Sequence, residues 1–261
     1  MRPSLGLQSA VDEERKALGR RAGVKEAAAS IRLAGAAGIQ NLSLDLMLGI
    51  PGQTAESLRR SIDFCTQAGV CHISAYLLKI EEGTPFAQRR ASLVLPNEDT
   101  VCDLYEQACE ELEAAGFQQY EISNFARHGF ESRHNLKYWN AEEYLGLGAS
   151  AHSFLGGKRF FYPRDRDAFL RGEGPIQDGE GGSFEEYAML RMRLADGLIE
   201  SLARQRYGCG IPPYMRESAR RMEQYGLTSQ DEDGIRLTRK GFLLSNTVIA
   251  ELLYPAGGTA G

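Results

Sequence analysis

The chain has 261 residues, 43% hydrophobic and 25% charged, a balance that fits a globular protein of one large domain or two modest ones. A formal net charge of −5 offers no basic face to nucleic acid. No apolar run nears the roughly 18–20 residues that cross a bilayer. Met1-Arg2-Pro3-Ser4 also lacks the apolar core of a signal peptide, so a cytoplasmic location is expected.

Leu5-Gly6-Leu7-Gln8 reads as a short strand. A helix is predicted over 24–37, with Ile31 inward and Gly38 just past its end as the stop signal. The next strand is predicted over 41–46. After the turn Gly49-Ile50-Pro51-Gly52, Thr54 can cap a helix whose positive end suits Glu56. That helix carries Leu58, Ile62 and Cys65 on one face and stops at Gly69. A third strand is predicted over 72–78. A further helix starts near Asn97, turns Leu104, Ala108 and Leu112 inward and ends at Gly116.

Strands alternating with helices in this way have the rhythm of βαβ units and a parallel sheet. In the second strand Leu42, Leu44 and Leu46 share one face, Ser43 and Asp45 the other. A strand of an open doubly wound sheet is covered on both faces and apolar throughout. One apolar and one polar face therefore point to a barrel, with helices outside and a cavity within.

Residues 118–163 are rich in aromatics and glycine and show little periodicity. Beyond them, Ser183 and Glu186 spell a capping box for a helix carrying Tyr187, Leu190 and Leu194. A second helix is predicted over 214–225. Asp231-Glu232-Asp233-Gly234 turns the chain before Ile235-Arg236-Leu237, and Thr238 caps a final helix to Leu253. Helix, hairpin, helix is a winged-helix-like pattern, which the acidic balance assigns to packing and not to nucleic acid. The tail from Pro255 is expected to be loose.

Gln8, Arg20 and Asp45 fall at or beyond the C-terminal ends of the predicted strands, where ligands bind in parallel α/β folds. An amide, a guanidinium and a carboxylate suit a zwitterionic, polyhydroxylated ligand; on the residues alone, capping and loop salt bridges are the more common explanation. The five cysteines, Cys65, Cys71, Cys102, Cys109 and Cys209, have no CxxC or CxxxCxxC spacing, and their odd number argues against a disulfide framework. They are expected to be mostly buried thiols. A GxGxxA string at Gly146 follows no strand and is not read as a dinucleotide site.

Leu5-Gly6-Leu7-Gln8, Leu18-Gly19-Arg20-Arg21 and the run from Leu44 to Thr54 resemble the second half of the barrel in the oxygen-independent coproporphyrinogen III oxidase family of radical-SAM proteins. Ile73-Ser74-Ala75-Tyr76, Tyr120-Glu121-Ile122-Ser123-Asn124-Phe125-Ala126, the run from Tyr144 to Ser153 and that from Leu237 to Asn246 follow in the same family order. The resemblance covers nearly the whole chain. It implies that Gln8, Arg20 and Asp45 contact S-adenosylmethionine, with help from the backbone near Lys79.

Within this family, His134-Asn135-Leu136-Lys137-Tyr138-Trp139 resembles the HNxxYW motif of the heme-chaperone branch, the HemW-type proteins. The resemblance implies heme binding by His134, Asn135, Tyr138 and Trp139, with His134 on the iron. An imidazole is a good axial ligand and the two rings offer flat apolar area. On the residues alone, a histidine beside aromatics is more often a packed core residue. His152, His128 and His72 are weaker candidates. On a helix, His134 and Tyr138 would share one face, Asn135 and Trp139 the next.

The chain departs from the family in lacking the first βα units and the CxxxCxxC motif that ligates a 4Fe–4S cluster. Cleavage of S-adenosylmethionine by this chain alone is therefore not expected, no catalytic residue is assigned, and a cut, split or truncated form is the expected status. The expected fold is α/β: the C-terminal half of a partial (β/α)6 TIM-like barrel over 1–117, an aromatic and glycine-rich segment over 118–175, and a small α+β winged-helix-like domain over 176–261. The Leu5-Gly6-Leu7-Gln8 strand would be an open edge. The expected function is heme binding and trafficking. Its partners would be heme or a porphyrin and heme-accepting proteins, with no nucleic acid and with membranes met only through clients. A coproporphyrinogen oxidase fragment and a functionless remnant remain alternatives.

Overall fold

Leu44, Leu46 and Leu48 are fully buried while Asp45 and Met47 between them are half-exposed, and this alternation makes the second strand of a five-stranded sheet. The computed structural model describes residues 2–255; the tail beyond Pro255 lies outside the described residues. Two compact units divide the chain, Met1–Glu131 and Ser132–Gly261.

In the first unit, β1 (Ser4–Gln8), β2 (Ser43–Leu48) and β3 (His72–Leu77) run parallel. Helices α1 (Asp12–Ala17) and α2 (Val24–Ala36) connect β1 to β2, and α3 (Ala55–Gln67) connects β2 to β3. The short α4 (Pro85–Gln88) and the long α5 (Glu98–Ala114) follow. Thr54 and Asn97 cap α3 and α5 by accepting the backbone N–H of Ser57 and Thr100. Leu58, Ile62 and Cys65 of α3 and Leu104, Ala108 and Leu112 of α5 are buried, as their spacing implies.

The parallel rhythm then stops. A hairpin of β4 (Gln118–Glu121) and β5 (Asn124–Ala126) joins antiparallel to β3, giving the order β1-β2-β3-β5-β4. The boundary read at 117 thus falls ahead of two strands whose backbone bonds belong to this sheet. The strand read over 41–46 begins at Ser43, where its N–H bonds to Pro3, and extends to Leu48. Among the described residues the sheet does not close, and β1 and β4 are its edges. On its polar face one register row runs Gly6, Asp45, Ser74, Asn124.

In the second unit, α6 (Arg133–Trp139) precedes a three-stranded antiparallel sheet of β6 (His152–Leu155), β7 (Lys158–Phe161) and β8 (Ile176–Glu180), with α7 (Arg166–Leu170) between the last two strands. The boundary read at 175 divides this sheet, because β8 is exposed throughout and carries no alternation to announce it. Gly146 beside it is a packing glycine. A Cβ there would stand 2.2 Å from the His152 carbonyl oxygen. Gly146→Ala is therefore expected to destabilise the chain by about 1–3 kcal/mol, measured as a lower urea midpoint.

The rest is α8 (Phe184–Arg191), β9 (Leu198–Ile199), α9 (Glu200–Tyr207), α10 (Pro213–Glu223), the hairpin β10 (Thr228–Gln230) and β11 (Gly234–Leu237), α11 (Arg239–Leu243) and α12 (Ser245–Leu253). The sheet order β10-β11-β9 completes the winged-helix pattern with a strand and a helix, β9 and α9, that the sequence reading lacked. Ser183 accepts the Glu186 N–H, but the Glu186 carboxylate turns to Gly182 and Arg159 instead of closing the box. The final helix is two helices. Leu244, at φ −106° and ψ 20°, breaks it and lets both Phe242 and the Val248–Ile249 pair reach the core. No helix among the described residues is long and apolar enough to cross a membrane.

Candidate functional site

At the end of β1, Gln8 takes a positive φ of 68° and is buried, and its side chain folds back over Gly6. A Cβ on Gly6 would lie 2.6 Å from Gln8 Nε2, so glycine is what lets the Gln8 amide fold back here, with Arg20 Nη1 4.0 Å from the same point. Asp45 is the registered neighbour of Gly6 on β2 and accepts the Ser4 hydroxyl at 2.7 Å. Three of the four residues predicted for S-adenosylmethionine thus gather around one glycine. Lys79 does not join them by its side chain, which is exposed and paired with Glu81 at 2.8 Å. A cavity of about 250 Å³ links Arg20, Met47 and Lys79, small beside the roughly 300–1,000 Å³ of small-molecule sites.

Arg15 holds this corner together, and the sequence reading passed over it. Its buried guanidinium donates to the carbonyls of Leu7, Ser9 and Ala22, tying the end of β1 to the loop after α1. Burial lowers its pKa. Glu14 is buried beside it and accepts the Ser9 hydroxyl. The run Asp12-Glu13-Glu14-Arg15-Lys16 looks solvated by composition, so no pattern marks the two buried charges.

The motif at 134–139 is helical, with Ser132 capping α6. His134 is exposed, and its Nε2 lies 2.8 Å from the Tyr138 hydroxyl, the i,i+4 pairing that a helix imposes. Tyr138 packs edge-on against His134 and against Tyr144, with centroids 4.8 Å and 4.5 Å away. Burial and the neighbouring Tyr144 raise the Tyr138 pKa, so it stays a phenol at neutral pH. Trp139 turns elsewhere. Its indole Nε1 is buried without a hydrogen-bond partner, and the Arg193 guanidinium lies 5.9 Å from its ring centroid. Asn135 is half-buried.

The other histidines differ sharply. His72 is buried in β3, its Nδ1 2.8 Å from Ser43 Oγ and its Nε2 2.9 Å from the Tyr120 hydroxyl, so it is closed to a ligand. His152 is exposed and stacks on Phe161 at 5.1 Å, and His128 is exposed. Of the cysteines, Cys65, Cys71 and Cys109 are buried, while Cys102 and Cys209 are exposed.

Residues 184–244 match the HemN C-terminal domain. The heme chaperone HemW of Mycobacterium tuberculosis (strain CDC 1551 / Oshkosh) is 37% identical over 262 residues, covering 97% of this chain and 65% of the relative. That of Bacillus subtilis (strain 168) is 33% identical, covering 97% of this chain and 69% of the relative. The chain belongs to the HemW heme-chaperone family.

The HemW of Escherichia coli (strain K12) is 40% identical over 151 residues, covering 58% of this chain and 39% of that relative. In architecture the chain is similar to the coproporphyrinogen III oxidase HemN of Escherichia coli, a radical SAM enzyme, at a TM-score of 0.75 and 20% identity, covering 98% of this chain and 64% of that one. The fold is the C-terminal part of that radical-SAM architecture. This HemW-family chain spans about two-thirds of the length of the M. tuberculosis relative. Its residues do not fit an iron–sulfur cluster: among the described residues no three His, Cys, Asp or Glu side chains gather as metal ligands. The exposed His134 imidazole, with its Nε2 bonded to Tyr138, is the histidine of the HNxxYW motif.

Proposed function

We propose that this chain binds heme at the motif His134, Asn135, Tyr138 and Trp139, with His134 meeting the iron, Tyr138 beside it and Trp139 seating the helix, and passes it to heme-accepting proteins. The observation that carries this reading is the exposed His134–Tyr138 pair on one face of α6, backed by Tyr144. When bound, the iron takes one nitrogen ligand from the protein. Tyr138 would orient the imidazole by bonding its Nε2, leaving Nδ1 as the nitrogen open to the metal. The rings of Tyr138 and Tyr144 supply apolar area for the macrocycle, and Trp139 seats the helix that carries them. An exposed ligand suits transfer, because an acceptor protein can reach the iron without unfolding the donor. Hemin titration followed at the Soret band tests the reading, with His134→Ala as the deciding variant.

We infer a weaker role for Gln8, Arg20 and Asp45 toward S-adenosylmethionine. They supply contacts for a ribose and a carboxylate around Gly6, beside a cavity too small for the whole ligand. Each missing buried hydrogen bond is worth about 1–3 kcal/mol, so affinity is expected to fall several orders of magnitude below that of a complete site. Calorimetry is expected to detect no binding at micromolar ligand. A micromolar dissociation constant that Asp45→Ala removes would contradict this.

A further inference from the structure

The turn that ends α6 is held by arginines of the region matching the HemN C-terminal domain. Arg191 on α8 is 4% exposed; its Nε donates to Gly197 O at 2.9 Å and its Nη1 to Asn140 Oδ1 at 2.7 Å. Arg206 on α9 donates from Nη1 to Asn140 O and from Nη2 to Ala141 O, both at 2.5 Å. Asn140 is the C-cap of α6, one residue after Trp139. Ala141 follows at φ 49°, a left-handed conformation that costs a non-glycine residue roughly 1–2 kcal/mol and needs support from outside the turn. Arg193 lies over the Trp139 ring and donates to Asn246 Oδ1 at 3.0 Å.

A helix of seven residues has little stability of its own, since nucleation takes most of what so few hydrogen bonds return. Its orientation is therefore set by whatever grips its ends. Ser132 caps the start, and the arginines grip the finish with positive charge, the sign that a helix C-terminus favours. Trp139 lies roughly 140° around the helix from His134, so its grip on the protein leaves the His134 face outward.

The geometry points to Arg191 and Arg206 as positioning residues for heme binding. They fix Asn140 and Ala141, hold α6 at one angle, and so present His134 and Tyr138 together. Neither touches heme in this role. The winged-helix-like region thereby acts as the mount of the heme motif. This inference rests on the heme reading above and adds to it residues outside the HNxxYW motif.

Arg206 is the cleaner probe, because it is exposed and its loss leaves no buried charge, whereas Arg191 is buried. Arg206→Met is expected to weaken hemin binding about tenfold and to broaden or shift the Soret band, with the melting temperature lowered by only a few degrees as two carbonyl bonds and the contacts over Tyr187 and Tyr207 are lost. Arg206→Lys keeps a charge that can reach one carbonyl and is expected to recover part of the affinity. Asn140→Ala removes the Arg191 acceptor and should move affinity in the same direction as Arg206→Met. If His134→Ala abolishes the band while Arg206→Met and Asn140→Ala bind as the parent does, the brace is refuted and the heme reading stands. If His134→Ala itself leaves the spectrum unchanged, the heme reading falls and the brace with it. A loss in Arg206→Met that tracks a larger drop in melting temperature and that lysine does not relieve would mean general unfolding, and also overturns the brace.

Discussion

Hemin added to the His134→Ala chain will show no ligand-induced Soret shift, and its affinity will fall by more than a hundredfold. Removing a residue that merely orients a metal-bound histidine typically costs about 10–100-fold in metal affinity, and removing the ligand must cost more. Tyr138→Phe supplies the internal calibration. It keeps the ring packed on Tyr144 but deletes the hydroxyl 2.8 Å from Nε2, so it should fall within that lower range. Trp139→Ala should weaken binding with little change in the iron spectrum, because Trp139 packs under Arg193 and bears no ligand atom. Hemin adheres to many proteins, and a control histidine must be exposed and able to ligate. His152 qualifies, whereas His72 is buried with both nitrogens bonded. Equal behaviour of His134→Ala and His152→Ala would make the binding nonspecific.

The first unit was largely legible because its signals are local. Periodic leucines, Thr54 and Asn97 as caps, and Gly38, Gly69 and Gly116 as stops each act within one element. What stayed hidden depends on partners distant in sequence. The β4–β5 hairpin joins β3 through backbone bonds that side-chain patterns do not record, and Gln118-Gln119-Tyr120-Glu121 has no apolar alternation. Strand β8 is exposed from Ile176 to Glu180 and looks like loop. The break at Leu244 lies within an unbroken helical pattern and answers to where Phe242 must go.

The candidate sites divide along the same line. Helical spacing alone pairs His134 with Tyr138, so that contact could be anticipated. The same spacing puts Trp139 on another face, but that Arg193 covers its ring there is tertiary, as is the fold of the Gln8 amide back over Gly6. Arg15, Arg191 and Arg206 are charged residues whose burial or reach is tertiary, and composition alone assigns such residues to solvent.

Acid will weaken the fold through His72. The imidazole is buried against Ser43 and Tyr120, and burial first, then the positive charge of Arg2, lowers its pKa from 6.5 to about 3. In the unfolded chain it titrates near 6.5. Between these values the unfolded state binds a proton that the folded state refuses, so stability is full above about pH 6.5 and declines as pH falls toward 3. The limiting slope is about 1.4 kcal/mol per pH unit, so the loss between pH 6.5 and 4.5 approaches about 2–3 kcal/mol, a large share of a typical 5–15 kcal/mol. Urea unfolding at pH 7.5, 6.5, 5.5 and 4.5 measures it. His72→Gln keeps a donor and an acceptor in the same place but cannot titrate, so its curve should flatten over that interval relative to the parent. If the two curves run parallel, the acid sensitivity lies elsewhere. Should the variant fail to fold, the parent decides the matter: the His72 ring proton shift must stay constant from pH 7.5 to 4.5.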